Sequence, residues 1–384
     1  MTQVAQRTTG RTFGLFAEPL DVLFFRDGRP FAPADHGRSL LPMPQTFAGA
    51  IRTHLLQAVG CGFKRLGEEL GKGAELHEAI DAVCGAGWIG RLQVRGPWLA
   101  RTSGPDRDTI EVLVPAPSTL HRPKVTADGD RHSRAEFLRL DPLSPHVPLP
   151  GWRPDRPGMR PLWQRSHYRS ERSAGFLTPA GLAAFLAGGV PEGGELIAPE
   201  KLYAFDRRTG IGIHPDRLTA QESLIYGASF LALKPNVSFY LEISLPPDAP
   251  GDPIAGAVSL AVGGESRHVV LRPVAPCAWP RPTATGKRTL LLLTTPGLFA
   301  SGWCPACLAG EDKLVAASVP GYEPVSGWDL ARGGPKPTRF AVAAGSVYFV
   351  SDWPNQPSQF SLADDLEDGR QGWGCYLTGV WNYV

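Results

Sequence analysis

The sequence predicts an α+β protein of two units, with the β-α-β patterning of a ferredoxin-like (RRM-like) domain in the first. Three observations predict it. Proline (38) and glycine (44) are so frequent among 384 residues that turns must be dense and helices few and short. Apolar residues in the second half fall in brief runs bounded by Gly, Pro, Asp and Ser, as strands do. The length exceeds what one core ordinarily serves, so two units, 1–190 and 191–384, are expected to meet at an interface.

In chain order, Thr12 to Phe25 reads as a strand interrupted at Pro19, followed by a turn at Asp27-Gly28 and a helix starting near Pro44. Phe47, Ile51, Leu55 and Val59 recur every four residues and mark its buried side; Gly60 and Gly62 end it. A second helical stretch, Glu75 to Val83, precedes strands at Trp88 to Ala100 and Thr109 to Val114. The segment 121–172 differs in kind, with eight prolines and eleven Lys/Arg against six Asp/Glu. It reads either as a solvated connection or as a basic Pro/Arg-rich insertion laid against nucleic acid. A short helix in TPAGLAAFLAGG takes Thr178 as N-cap and Pro179 as its first residue. Beyond it, strands are expected at 202–207, 224–233, 237–245, 257–262, 268–271, 290–294, 339–343, 346–350 and 376–384.

Charge narrows the function. A formal net charge of +2 excludes a uniformly basic nucleic-acid binder and directs attention to local clusters. Arginine far outnumbers lysine; its planar fork suits phosphates and base faces, and GC-rich coding produces the same bias. No apolar run approaches the roughly 18 residues of a membrane span. The N-terminus has no apolar signal-peptide core, and six scattered cysteines fit reduced thiols, so a cytoplasmic protein without a membrane partner is expected.

Four stretches join glycine, which lets a ligand approach the backbone, to basic residues: FFRDGRPF (24–31), AFDRRTGIGI (204–213), GWDLARGGPKPTRF (327–340) and EDGRQGWG (367–374). They nominate Arg26, Gly28, Arg29, Arg207, Arg208, Gly210, Lys336, Arg339, Gly372 and Gly374. A fifth stretch, LPMPQTFAGAIRT, puts Gln45 and Thr46 at a helix start, where free N–H groups favour a phosphate, with Arg52 two turns on. In the insertion, Arg165 and Arg169 interleave with His167 and Tyr168, and Trp152 and Trp163 are available for stacking or for anchoring the segment on its own domain. Neither these glycine turns nor the helix start matches GxxxxGK[ST] or a βαβ GxGxxG, so no nucleotide cofactor is expected.

Taken in order, FFRDGRPF, PMPQTFAGAIRT, DRRTGIGI with TAQESLIYGASF, VSGWDLARGGPKPTRFAVAAGSVYFV and GRQGWGCYLTGVW resemble the third subunit, of the RAMP superfamily, of the Cmr complex, the type III-B CRISPR effector. The resemblance implies two ferredoxin-like domains face to face and no active site. It implies crRNA as ligand, gripped at its 5′ handle, with the polymerase-like large subunit and the first backbone RAMP subunit as neighbours. The loop 369–374 stands for the family's terminal glycine loop, with fewer glycines than in RNA-cleaving relatives, and Trp373 faces either ligand or core.

Two enzymatic alternatives remain open. SGWCPACLAG follows an apolar strand as thioredoxin-like CxxC sites do, with Cys304 as nucleophile and Cys307 as resolving thiol. A zinc site would need further ligands, such as Cys277 or Cys375, so no metal is expected. A RAMP-type ribonuclease would use His36 or His54 for proton transfer, or Asp27 for metal-dependent cleavage, whereas a turn-forming Asp27 is the simpler role.

Overall fold

The computed structural model describes residues 11–26, 36–37, 40–103, 109–124, 136–166, 169–214, 216–217, 219–281, 288–310, 313–329, 331, 333–353 and 360–384. The chain is mixed α/β, mostly strand, in several sheets. Strand β1 (Thr12–Pro19) leads into helices α1 (Pro44–Ala58), α2 (Phe63–Gly71) and α3 (Leu76–Cys84), then β2 (Gln93–Ser103) and β3 (Thr109–Pro115). Short strands β4 (Phe176–Leu177) and β5 (Leu196–Ile197) flank α4 (Pro179–Leu186). Next come the ribbon β6 (Tyr203–Ile213) and β7 (Ala220–Leu233), then β8 (Val237–Ser244), β9 (Val258–Ala261) and β10 (His268–Val274). A second set follows: β11 (Arg288–Leu293), β12 (Leu314–Ser318), β13 (Tyr322–Val325), β14 (Arg339–Val342), β15 (Val347–Ser351), the short α5 (Leu366–Arg370) and β16 (Tyr376–Val380).

The larger sheet runs β5-β4-β3-β2-β8-β1-β10-β9. Four of its strands, β10, β1, β8 and β2, lie 4-1-3-2 when numbered by chain order, with β1 antiparallel to both β8 and β10. The four-stranded sheet runs β12-β15-β11-β16, which is 4-1-3-2 again. The larger sheet takes strands from both sides of residue 190, so the two halves expected from the sequence are interleaved in it. Between β8 and β10 stands the edge strand β9 instead of a helix.

Alternation within strands explains the packing. On β1, Leu15 and Ala17 face the helical layer, where Phe47, Ile51 and Leu55 of α1 and Ile80 of α3 close the first core. Phe16 faces the other side with Trp98 and Tyr240. The run TLLLLTT has no polar alternation because β11 is covered on both faces: Leu290 and Leu292 meet Phe185, Phe349 and Trp381, while Leu291 and Leu293 meet Leu308 and Tyr348. Each such side chain, fully buried, contributes roughly 1.5–3 kcal/mol. Phe185 comes from α4, whose Thr178 accepts from the Gly181 N–H, the cap expected from the sequence.

Val59 departs from its expected buried role. Helix α1 stops at Ala58, Gly60 turns at φ +68°, and Val59 is left exposed on the C-cap. The described part of the 121–172 segment is also less of an arm than its composition suggested. Phe137 and Leu162 join the core under α4, and Arg160 donates to the carbonyls of Leu143, Ser144 and Val147. Arg139 is buried against Asp141, the Phe185 and Val380 carbonyls and the Phe185 ring.

Candidate nucleic-acid interface

The five glycine and arginine stretches gather into two groups rather than one cleft. Phe25 and Phe47, one from each, share the ring of Phe239 beneath them.

The first group joins the start of α1, the hairpin around 326–340 and the loop 365–374. Gln45 Nε2 donates to the Ser326 carbonyl at 2.6 Å. The hairpin closes beside it through Lys336 N to Gly327 O at 2.8 Å. The Thr46 amide donates to the Met43 carbonyl. Arg52 is buried, ion-paired with Glu367 and donating to the Leu92 carbonyl at 3.2 Å. Arg339 makes a two-pronged pair with Asp368, which holds its guanidinium pKa above the ordinary arginine value.

The same arrangement corrects the reading of the terminal glycine loop. Gly372 N donates to Gly369 O and Gly374 N to Pro296 O, so neither amide is open to a phosphate. A side chain at Gly372 would bring its Cβ to 2.9 Å from the carbonyls of both Val94 and Gly96. The glycine is therefore required by the approach of strand β2. Trp373 is fully buried, and Thr295 Oγ1 donates to Gly372 O at 2.7 Å. Gln45 and Arg52 thus tie α1 to the 326–340 hairpin and to α5, Arg339 ties β14 to α5, and Gly372 and Gly374 seat the loop against β2 and Pro296, spending on the fold the donors nominated for a ligand.

The second group is built on the β6–β7 ribbon. His36–Gly37 adds a short parallel strand against Gly227 and Ala228, and Leu23 bridges Leu231. Arg207 and Arg208 are exposed, Gly210 pairs with Tyr226, and Phe205, Ile211 and Ile213 stand open to solvent. Arg208 reaches Asp206 at 2.8 Å, and Arg208 and Arg267 both lie over the Phe230 ring, at 4.8 and 5.0 Å. The root of the ribbon is thereby fixed against the loop before β10. Arg26 is exposed at the same end. Gly28, Arg29 and Asp27 lie outside the described residues, as do His167, Tyr168 and the side chain of His36. Arg165, Arg169, Trp152 and Trp163 are exposed on the insertion, apart from both groups in sequence.

Sequence reasoning missed a buried polar junction. Glu242, on β8, is almost wholly enclosed and accepts from Arg95 Nη1 at 2.7 Å, Trp279 Nε1 at 2.8 Å and Tyr240 OH at 3.0 Å. Arg95 sits between the rings of Trp98 and Trp279, and the Tyr240 hydroxyl receives the Cys277 amide at 2.7 Å. Burial together with the Glu242 charge pushes the Tyr240 phenol well above its ordinary value. The signal available was a glutamate in the middle of the otherwise apolar strand VSFYLEIS, which only a buried partner tolerates.

The thiol redox alternative finds little support. Cys304 is fully buried and Cys307 half-buried; burial raises both thiols, Cys307 to about 11, opposite to what a redox nucleophile needs. Cys307 lies in the three-residue turn Ala306–Leu308, not at the head of a long helix. Among the described residues, no group of three or more His, Cys, Asp or Glu could hold a metal, and no helix is long and apolar enough to cross a membrane. His54 is half-buried on α1.

No curated protein matches the chain. Among solved structures it is similar to a chain of the type III-B Cmr-beta complex bound to cognate target RNA, at 16% identity and TM-score 0.48, over 88% of this chain and 86% of that one. A chain of the same complex with target RNA and AMPPnP gives 18% identity and TM-score 0.46 over the same shares, 88% and 86%. A chain of the Csm1–Csm4 cassette with AMPPNP gives 12% identity and TM-score 0.33, over 97% and 96%. None of these likenesses is close enough to carry a ligand or partner over to this chain. The sequence itself is more specific: the family model described as CRISPR-associated protein (Cas_Cmr3) matches residues 16–381, in agreement with the resemblance carried by the ordered motifs, and the chain belongs to that family.

Proposed function

We propose that this protein is a non-catalytic, RNA-binding subunit of a type III-B CRISPR effector, that it holds the 5′ handle of crRNA, and that it docks on the polymerase-like large subunit beside the first backbone subunit. Family membership supports the setting. The observation that carries the grip is the β6–β7 ribbon, whose exposed Arg207 and Arg208 lie on a root stiffened by the Phe230 ring and its two arginines. Arginines on a rigid element contact phosphates at low entropic cost. Arg26 at the same end extends the basic surface, and Arg165 and Arg169 supply a second one on the insertion.

In this reading the scaffold is two ferredoxin-like cores, each a sheet of order 4-1-3-2, one built on β1, β2, β8 and β10 and the other on β11, β12, β15 and β16. The chain between β3 and β8, residues 116–236, then supplies the ribbon and the insertion.

The test is to incubate the purified protein with handle-containing RNA, with and without divalent metal. Retention without cleavage products is expected, and weaker retention for RNA lacking the handle. Specific cleavage abolished by His54→Ala or His36→Ala would replace this reading with the ribonuclease one.

A further inference from the structure

The face of the larger sheet opposite α1 is covered over only part of its area. The chain at 275–281 lays Cys277 and Trp279 over Tyr240 and Trp98 at one end, and Arg272 lies over Phe16 towards the other. There an open cleft of about 610 Å³ spans β2, β8, β1 and β10, lined by Phe16, Glu18, Thr102, Lys234, Ser238 and Arg272. We propose that this cleft binds a single unstacked RNA nucleotide and prefers guanine.

Arg272 stands directly across from Phe16 in the β1–β10 register, its guanidinium 4.6 Å from the ring centre. Among the described residues it forms no ion pair. The guanidinium lies over the ring and is only half-buried, so in this proposal its plane is the surface on which a nucleobase stacks. Glu18 is two residues along the same strand from Phe16, hence on the same face and roughly 7 Å away. Its carboxylate is exposed and, among the described residues, unpaired. A carboxylate at the edge of a stacking platform accepts two hydrogen bonds from the N1–H and N2–H₂ of guanine. Uracil has a single N–H to offer it.

Charge limits the ligand further. Asp21, also on the wall, is held by Arg267 at 2.8 Å, so Glu18, Lys234 and Arg272 set the local balance at one net positive charge. That suits one phosphodiester and not a polyphosphate. Lys234, exposed on the β7–β8 turn, reaches the rim where that phosphate would sit. Asn236 holds the turn at φ +65°, with Val237 N donating to Lys234 O at 3.0 Å, so the lysine leaves from a fixed backbone.

The site uses none of the residues assigned to the crRNA grip, and its test is separate. GMP and UMP are titrated into the full chain by calorimetry at low salt. GMP is expected to bind about tenfold more tightly than UMP, the discrimination of one two-pronged base contact. Glu18→Gln is expected to bring the ratio close to one. Arg272→Ala is expected to weaken both nucleotides about tenfold, and Arg272→Lys, which keeps the charge but not the plane, by nearly as much. Circular dichroism confirms that each variant is folded. No saturable GMP binding, equal GMP and UMP affinities, or unchanged affinities in Arg272→Ala and Arg272→Lys would overturn the site. A protein that binds no mononucleotide yet retains handle RNA loses this site alone.

Discussion

Arg339 and Asp368 face each other in a parallel two-bond pair, Nη1 to Oδ1 at 2.8 Å and Nη2 to Oδ2 at 2.5 Å, with the carboxylate buried and the guanidinium half open. Arg339→Ala leaves that carboxylate enclosed without its partner, at a cost of about 2 kcal/mol. Arg339→Lys recovers only part, because an ammonium cannot make both bonds. Urea unfolding of the three proteins checks this, and a midpoint unmoved in Arg339→Ala refutes it.

Gly372 and Gly73 both turn at positive φ, +94° and +89°, but only Gly372 has carbonyls within 3 Å of a built Cβ. Gly73→Ala therefore carries the backbone cost alone, about 1 kcal/mol. Gly372→Ala adds the push against β2 and is expected to cost about 3 kcal/mol. Similar melting temperatures for the two variants would contradict the close approach.

Reversal of both Arg207 and Arg208 to Glu is expected to lower handle-RNA affinity at least about tenfold at low salt. It also flattens the salt dependence by about 1 to 1.5 in slope, the signature of two lost phosphate contacts on a single strand. Stability should stay within about 1 kcal/mol, since the Arg208–Asp206 pair is exposed. An unchanged slope measured between low and moderate salt removes the ribbon from the grip.

Glu323 lies opposite the fully buried Ala341, and burial raises its pKa above the ordinary carboxylate value. Between that ordinary value and the raised one, the folded chain holds the extra proton. Stability from this group is therefore present at acid pH and falls as pH rises through the folded pKa. Glu323→Gln is expected to melt higher than the wild type at pH 7.5, with the gap closing towards pH 4.5. A gap that stays constant with pH would show that the charge is not the cause.

Cys307, raised to about 11, is expected to be mostly thiol at pH 7.5 and to alkylate more slowly than free cysteine, its rate climbing towards pH 11. Fast labelling at neutral pH, read by mass spectrometry of the peptide, would reopen the redox alternative.

Much of the strand inventory follows from local pattern alone. The end of β7 and β8, β9, β10, β11 and β15 lie where apolar runs stop at Gly, Pro or Asp, and Thr178 and Pro179 mark α4. Helix α2 escaped because FKRLGEELG buries only Leu66 and has two glycines, so its amphipathic signal is thin. Strand β12, LVAAS, is short and partly small-residue, without alternation. The glycine stretches show a deeper limit. Gly372 is demanded by an approaching carbonyl, but a strand of the same protein and a phosphate impose the same requirement on the sequence. Only the position of β2, set by pairing with β8, distinguishes them. Arg52 and Arg339 are ambiguous for the same reason, since their partners lie more than 300 and nearly 30 residues away.

The place of β8 also sets a timetable. β1 ends at Pro19, and both of its neighbours in the sheet, β8 and β10, begin only at Val237 and His268. On the ribosome, at roughly 5–20 residues per second, an apolar strand waits about 10–40 seconds for either edge to be filled. Such late pairing slows folding and leaves a sticky nascent chain. Yield in a cell-free system is therefore expected to depend on added chaperone more than native stability alone would suggest.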